Sequence, residues 1–378
     1  MKKYFLLTPG PTPVPPEVSQ AEARPILHHR TTEFGKIFVE VIEGMKYVFQ
    51  TANDVLMVTG SGTAAMEAAV VNLLSAGDEV IVASCGNFGD RWENICNVYG
   101  VKVHKVTSEW GQSINPEDIA NILKQNKNIK AVFTTHTETS TGIVNDIETI
   151  GKIVKETQAV LVVDTISGLV GQKFLTDKWY VDVAVTGSQK GLMCPPGLSF
   201  ATVSPKAWEY VEKSTLPKFY LDFKKMRKSI DNKETPFTPA VSLVVALHKA
   251  IEIIKEKTLE VIWQQTEKLA VATRAAVKSM GLKIFCDESH ISNIVTPISM
   301  PEGMDGQKVV RTLREEFGIS IAGGQGKLKG KIVRIAHMGY IDKFDLIVCI
   351  SGLEMVFNKL GYTVELGVGV KAFENNLI

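Results

Sequence analysis

The sequence has little that ties it to a metal, a membrane or a nucleic acid. Its five cysteines, Cys85, Cys96, Cys194, Cys286 and Cys349, are scattered, with no C-x-x-C pair. Neither a disulfide framework nor a thiolate metal site is expected, and reduced thiols fit a cytoplasmic protein. No apolar run nears the roughly 18 residues that suggest a membrane span. After Lys2 and Lys3 the apolar stretch Tyr4–Leu7 stops at Thr8-Pro9, too short for the core of a secretory signal. The 42 basic and 41 acidic residues leave a formal charge of +1, which gives no bulk attraction to nucleic acid or to an anionic membrane. One basic run, Lys224-Lys225-Met226-Arg227-Lys228, reads as a solvated surface segment. Proline is sparse except in residues 8–16, which hold five of the fifteen; that stretch is an extended arm, not a helix.

The rest of the chain shows an α/β rhythm. Short β-branched runs at Val55–Val58, Glu79–Ala83, Val101–Val106, Ala131–Thr134, Val160–Val163 and Val181–Val185 alternate with helical stretches, among them residues 33–50 and 62–74. That alternation predicts a mostly parallel sheet with helices on both faces. Leu198–Val203, straight after Pro195-Pro196-Gly197, reads as an antiparallel return strand. A long helical stretch over 241–280 leads to a second α/β group: a strand within Ile291–Met300, a helix near 306–317, strands Ile319–Ala322 and Lys331–Ala336, and a helix near 342–360. The expected organisation is an N-terminal arm over 1–20, a large domain over 21–260 and a smaller C-terminal α/β domain over 261–378.

Two residues carry most of the chemistry. Lys190 follows the apolar run Val181–Val185 and precedes a Gly/Pro-rich turn, and Asp164 ends the run Ala159–Val163. Lysine is almost never buried without a partner, and a desolvated lysine has a lowered pKa that leaves part of it as the nucleophilic amine. A Schiff-base lysine and an aspartate facing a pyridinium nitrogen are what pyridoxal phosphate (PLP) requires. In isolation each has a plainer reading, as a solvent-facing lysine and a helix-capping acid. Their joint placement after parallel strands favours the cofactor, because ligands bind at the carboxyl ends of such strands.

Other residues fit the same picture. Thr59-Gly60-Ser61-Gly62-Thr63 links a strand to a helix, where glycines and free helix N–H groups suit a phosphate, or simply make a turn. It has neither the dinucleotide glycine spacing nor the lysine of a P-loop. Phe88, in a glycine-flanked loop, would stack on a flat cofactor or fill a core. Thr139, in His136–Gly142, would bond a cofactor oxygen or cap a turn. Arg334, in Ile332–Ile335, would clamp a substrate carboxylate if it points inward.

Taken in order, Thr8-Pro9-Gly10-Pro11, His28-His29-Arg30, Gly60–Thr63, Gly86–Gly89, Glu138–Gly142, Val163-Asp164, Gly187–Lys190 and Lys331–Ile335 make the chain resemble the class V aminotransferases of the PLP-dependent transferase fold type I. The nearest likeness is to the alanine–glyoxylate / serine–pyruvate group. The resemblance spans nearly the whole chain. It implies that Lys190 forms the Schiff base and shuttles the proton and that Asp164 keeps the ring nitrogen protonated. Ser61, Gly62, Thr63 and Gln189 would hold the phosphate, with Phe88, Thr139 and Ile166 around the ring. Arg334 and Gly10 would meet the substrate. A homodimer is also implied, with Thr238 or Thr235 of one subunit reaching the phosphate of the other. Many relatives have tryptophan where Phe88 stands.

The implied activity is ping-pong transfer of an amino group from a small amino acid to a 2-oxo acid. No second carboxylate-binding arginine is evident, which favours alanine, serine or glycine as donor with pyruvate or glyoxylate as acceptor, although His28, Arg30 or the arm would accept an acidic side chain such as that of aspartate. Two alternatives remain at this stage. A lyase or cysteine desulfurase would want His before the Schiff-base lysine and a loop cysteine; Gln189 precedes Lys190, and Ile321–Lys327 holds no cysteine. A non-catalytic subunit of this fold would be expected to have lost Lys190 or Asp164, and both are present.

Overall fold

The computed structural model describes residues 3–377, so Lys2 of the N-terminal reading lies outside the described residues. Seven strands form the main sheet, in the spatial order Asp54–Thr59, Leu198–Val203, Val183–Gly187, Val160–Asp164, Ile129–Thr135, Glu79–Ser84, Lys102–Thr107. All neighbours pair in parallel except Leu198–Val203, which runs against both of its partners. Successive strand residues point to opposite faces. Val55, Met57, Leu161 and Val163 enter one core, and Leu56, Val58, Val160 and Val162 enter the other. Burial on both faces explains why these strands read as continuous apolar runs.

The helical stretch expected over 241–280 is two helices, Val241–Lys257 and Leu259–Ser279. Thr258 breaks them with φ at +63°, a left-handed conformation that a β-branched residue rarely adopts. Beyond it a four-stranded antiparallel sheet, in the order Lys283–Ile284, Val295–Ser299, Ile332–Ala336, Ala322–Gly323, packs with its helices around a third core. The expected strand Ile319–Ala322 splits in two. Ala322–Gly323 joins that sheet, while Ile319–Ser320 pairs in parallel with Phe5–Leu6. The expected helix over 306–317 is α-helical only to Thr312 and continues as a π turn over Leu313–Phe317.

The N-terminal arm is therefore integrated into the rest of the molecule. Leu7 is fully buried in the third core; its N–H donates to Ser320 O at 2.8 Å, and its carbonyl accepts from Ala336 N at 3.0 Å. A short helix, Pro16–Glu22, then seats Val18 against the large domain. The basic run near 224–228 lies on the helix Phe223–Asp231, whose Phe223 and Met226 are buried. No helix among the described residues is long and apolar enough to cross a membrane.

Candidate active site

The carboxyl ends of the parallel strands open onto a cavity of about 280 Å³. Lys190 reaches it from the turn after Val183–Gly187, and Asp164 from the end of the adjacent strand, whose Asp164 is in register with Val185. Gly10, Ser61, Gly62, Thr63, Phe88, Ile166 and Gln189 line the same cavity. The arm closes over the lysine. Lys190 Nζ donates to the Pro9 carbonyl, Thr12 Oγ1 donates to Lys190 O at 2.9 Å, and Thr12 N–H donates to Gln189 O at 3.1 Å. A Cβ on Gly10, whose φ is +124°, would fall 2.4 Å from the Lys190 side chain. Only glycine lets the backbone approach that closely.

Burial sets the charges here. It pulls the Lys190 amine down to about 8; the Asp164 carboxylate opposes this, and Arg334 and Arg91 reinforce it. Burial also pushes Asp164 up to about 7, against the N–H that Ile166 donates to Asp164 Oδ1 at 2.8 Å. An acid so placed would gain from a cation beside it.

The remaining predicted residues are distributed unevenly. Thr139 is buried behind the cavity wall, with Oγ1 3.5 Å from the hydroxyl of Ser167, a lining residue. Arg334 points inward. Its Nε and Nη2 donate to Gly323 O at 3.0 and 2.7 Å, and Nη1 donates to Thr139 O at 2.7 Å. Burial pulls its pKa down to about 10. It thus ties the four-stranded sheet to the Thr139 segment behind the site. Thr235 and Thr238 do not line this chain's cavity; both border a separate pocket with Met57, Thr59 and Tyr220. Of the earlier alternatives for an acidic side chain, Arg30 is bound to Glu234 and to Thr235 O.

Three contributors were not foreseen. Arg91 lines the cavity, with Nη1 donating to Thr63 Oγ1 at 3.1 Å. Its place three residues after Phe88, within the first turn of a helix, was the available signal. Ser167 lines the cavity two residues after the backbone turn at Thr165. Glu138 is fully buried. Its Oε2 accepts from Phe88 N at 3.0 Å and Gly89 N at 2.9 Å, and its Oε1 accepts from Ser140 N at 3.1 Å and from the Ser140 hydroxyl. Burial pushes its pKa up while those donors hold it down. It pins the loop that carries the Phe88 ring.

These residues suit pyridoxal phosphate. Ser61 caps the helix Gly62–Leu73 without using its hydroxyl as a side-chain cap, so that hydroxyl is free for a ligand at the helix start. Gln189 Oε1 is buried with no partner. A Cβ on Gly187 would lie 2.8 Å from that oxygen and 3.2 Å from Gly62 N, so glycine there brings Gln189 up to the helix terminus. All five cysteines are buried and free, and burial pushes Cys194 up to about 12. A thiol so protonated is a poor nucleophile. Among the described residues no three His, Cys, Asp or Glu side chains group as a metal site.

A lysine and an acid at adjacent strand ends, facing a phosphate-type helix start, define a PLP-dependent fold type I enzyme. The chain belongs to the class V aminotransferases, whose family model matches residues 4–337, and pyridoxal phosphate is its cofactor. It is 44% identical to the soluble hydrogenase small subunit of Synechococcus sp. (strain PCC 6716), over 98% of this chain and 97% of that one. It is 35% identical to the L-aspartate–glyoxylate aminotransferase of Paracoccus denitrificans (strain Pd 1222), over 98% and 95%. The structure superposes on ureidoglycine–glyoxylate aminotransferase from Bacillus subtilis with a TM-score of 0.96 and 30% identity, covering 100% of this chain and 98% of that one.

Proposed function

We propose that this chain moves the amino group of a small or acidic amino acid, alanine, serine or aspartate, to a short 2-oxo acid of the glyoxylate or pyruvate kind. The observation that carries this reading is that Lys190 and Asp164 line one cavity, with a buried Arg334 behind it. Relatives and neighbours named for glyoxylate as acceptor support the choice of acceptor.

Bound in the cavity, pyridoxal phosphate supplies an electrophilic aldehyde and a ring that takes up the electron pair released at the substrate α-carbon. The protein's part is positional and acid–base. Lys190, with its amine lowered to about 8, spends enough time unprotonated near neutral pH to take the proton from the α-carbon and return it elsewhere. Asp164 would hold the ring nitrogen through its carboxylate, and its burial would strengthen that pairing. The arm residues Pro9 and Thr12 hold the Lys190 segment. Arg334 has five N–H donors, three of which meet backbone carbonyls; the rest suit a substrate carboxylate.

The hydrogenase-subunit name of the Synechococcus relative raises a subunit role. Such a role would not require Lys190 and Asp164 to share a cavity. We also propose a cytoplasmic homodimer, in which Thr238 or Thr235 of one chain serves the site of the other. The deciding experiment mixes the PLP-loaded protein with each common amino acid and follows loss of the cofactor's visible band. Alanine, serine or aspartate should react fastest; no reaction with any amino acid would end the transaminase reading.

A further inference from the structure

Arg91 stands where electrostatics alone would not put a cation. It lies in the first turn of its own helix, Gly89–Val98, and bonds Thr63 in the first turn of the helix Gly62–Leu73. Each helix start carries about half a positive charge, and a cation in the first turn is unfavourable there. No carboxylate bonds it, although Asp164 in the same cavity feels its charge. Asp90, its neighbour, is engaged by the Ser84 hydroxyl at 2.8 Å and by Lys105 at 3.2 Å. Glu138 is filled by the N–H groups of the Phe88 loop and by Ser140. The partners of Arg91 are the Thr63 hydroxyl and the Phe88 ring, whose centroid is 5.0 Å from its Cζ. One N–H of five is thereby used on a neutral oxygen, at the rim of the cavity.

The start of the helix Gly62–Leu73, the Ser61 and Thr63 hydroxyls and the Arg91 guanidinium line one spot. A phosphate suits that set of donors. We propose that Arg91 is the counter-charge of the cofactor phosphate, holding it through a bidentate fork while the start of the helix Gly62–Leu73 supplies N–H groups. The assignment rests on the PLP reading of the cavity. It also explains the Phe88 contact. Lying across the ring by a cation–π contact fixes the rotamer of the guanidinium, so the fork waits in place and loses little freedom when the anion arrives. The same oxyanion chemistry would serve a distal carboxylate of an acidic donor, and the test separates the two sources.

The cofactor-free full-length chain is titrated with PLP and, separately, with pyridoxal, which has the aldehyde and ring but no phosphate. Dissociation constants are read from tryptophan fluorescence and visible absorbance for the wild type, Arg91→Met and Arg91→Lys. Arg91→Met should weaken PLP by about 10- to 100-fold, the range of a charge-assisted hydrogen bond, and leave pyridoxal unchanged. Arg91→Lys keeps the charge without the fork and should fall between. Inorganic phosphate should compete with PLP for the wild type and much less for Arg91→Met. Equal weakening of PLP and pyridoxal, no weakening of either, or a defect confined to the KM for aspartate with PLP affinity intact would each overturn the assignment. If Arg91→Met fails to fold by circular dichroism, the phosphate-selective loss must appear in Arg91→Lys, and its absence there overturns the assignment equally. A wild-type chain that takes up no PLP would instead bring down the function reading beneath it.

Discussion

At the scale of single residues, the site is built at the expense of stability, and pH exposes the cost. The Lys190 amine sits at about 8 in the folded chain against an ordinary 10.5. Between those values the unfolded chain binds more protons than the folded one, so stability rises with pH across that window. Below about pH 8 the penalty is present in full; by pH 10.5 it is gone. Lys190→Met fills similar space without charge. In the cofactor-free state it should therefore unfold at higher urea than the wild type at pH 7, by a margin on the order of 2 kcal/mol after loss of the bond to Pro9 O, and the margin should vanish near pH 10.5. A variant no more stable than wild type at pH 7 would mean that the lysine is not desolvated. The meeting of Lys190 and Asp164 in one cavity was legible because a charged residue at the end of an apolar strand is conspicuous in the sequence. Arg91 and Glu138 were not, because their importance comes from which loop turns toward which helix. Nothing in local pattern says that the Glu138 carboxylate reaches the N–H groups of Phe88 and Gly89, about fifty positions away in sequence.

At the scale of elements, what could be read was whatever was long and periodic. The strand Val160–Asp164 and the helix Gly62–Leu73 fall where their patterns put them, because each buries a continuous apolar set. Two-residue strands carry no period, so Phe5–Leu6 was invisible and Ile319–Ala322 read as a single strand. Yet the small pairing has a large consequence. It fixes the start of the arm against Ile319–Ser320, and the arm then runs five residues to the Thr12 contact on Lys190. Leu7, fully buried between the two short strands and the end of Ile332–Ala336, is the anchor. Leu7→Ala should cost about 2–5 kcal/mol, as for other fully buried leucines, measured by urea unfolding. Because the arm closes the cavity, PLP should also dissociate faster from that variant. A loss of stability with unchanged cofactor release would mean that the arm segment at Pro9–Thr12 holds itself in place.

At the scale of the whole molecule, the open question is where the site is completed. The helical stretch over 241–280 breaks at Thr258 into two helices, a break that no local pattern marked. Assembly is not written in any local pattern, and it rests on a geometrical argument. Thr238 is exposed, and it lies with Thr235 on a pocket apart from this chain's own cavity. Nearby Phe219 is 72% exposed and lies tilted against Phe237, with ring centroids 5.6 Å apart, an aromatic surface more in keeping with an interface than with open water. If a two-fold dimer places that segment over the partner's phosphate position, two crippled chains must repair each other. Lys190→Ala removes the amine, and Thr238→Glu sets a negative charge against the phosphate. Unfolded and refolded together in equal amounts, half of the dimers are mixed, and each mixed dimer holds one site with both native residues. About a quarter of the wild-type activity should therefore return. If the site is completed within one chain, no molecule in the mixture has both residues, and activity stays at the level of the separate variants.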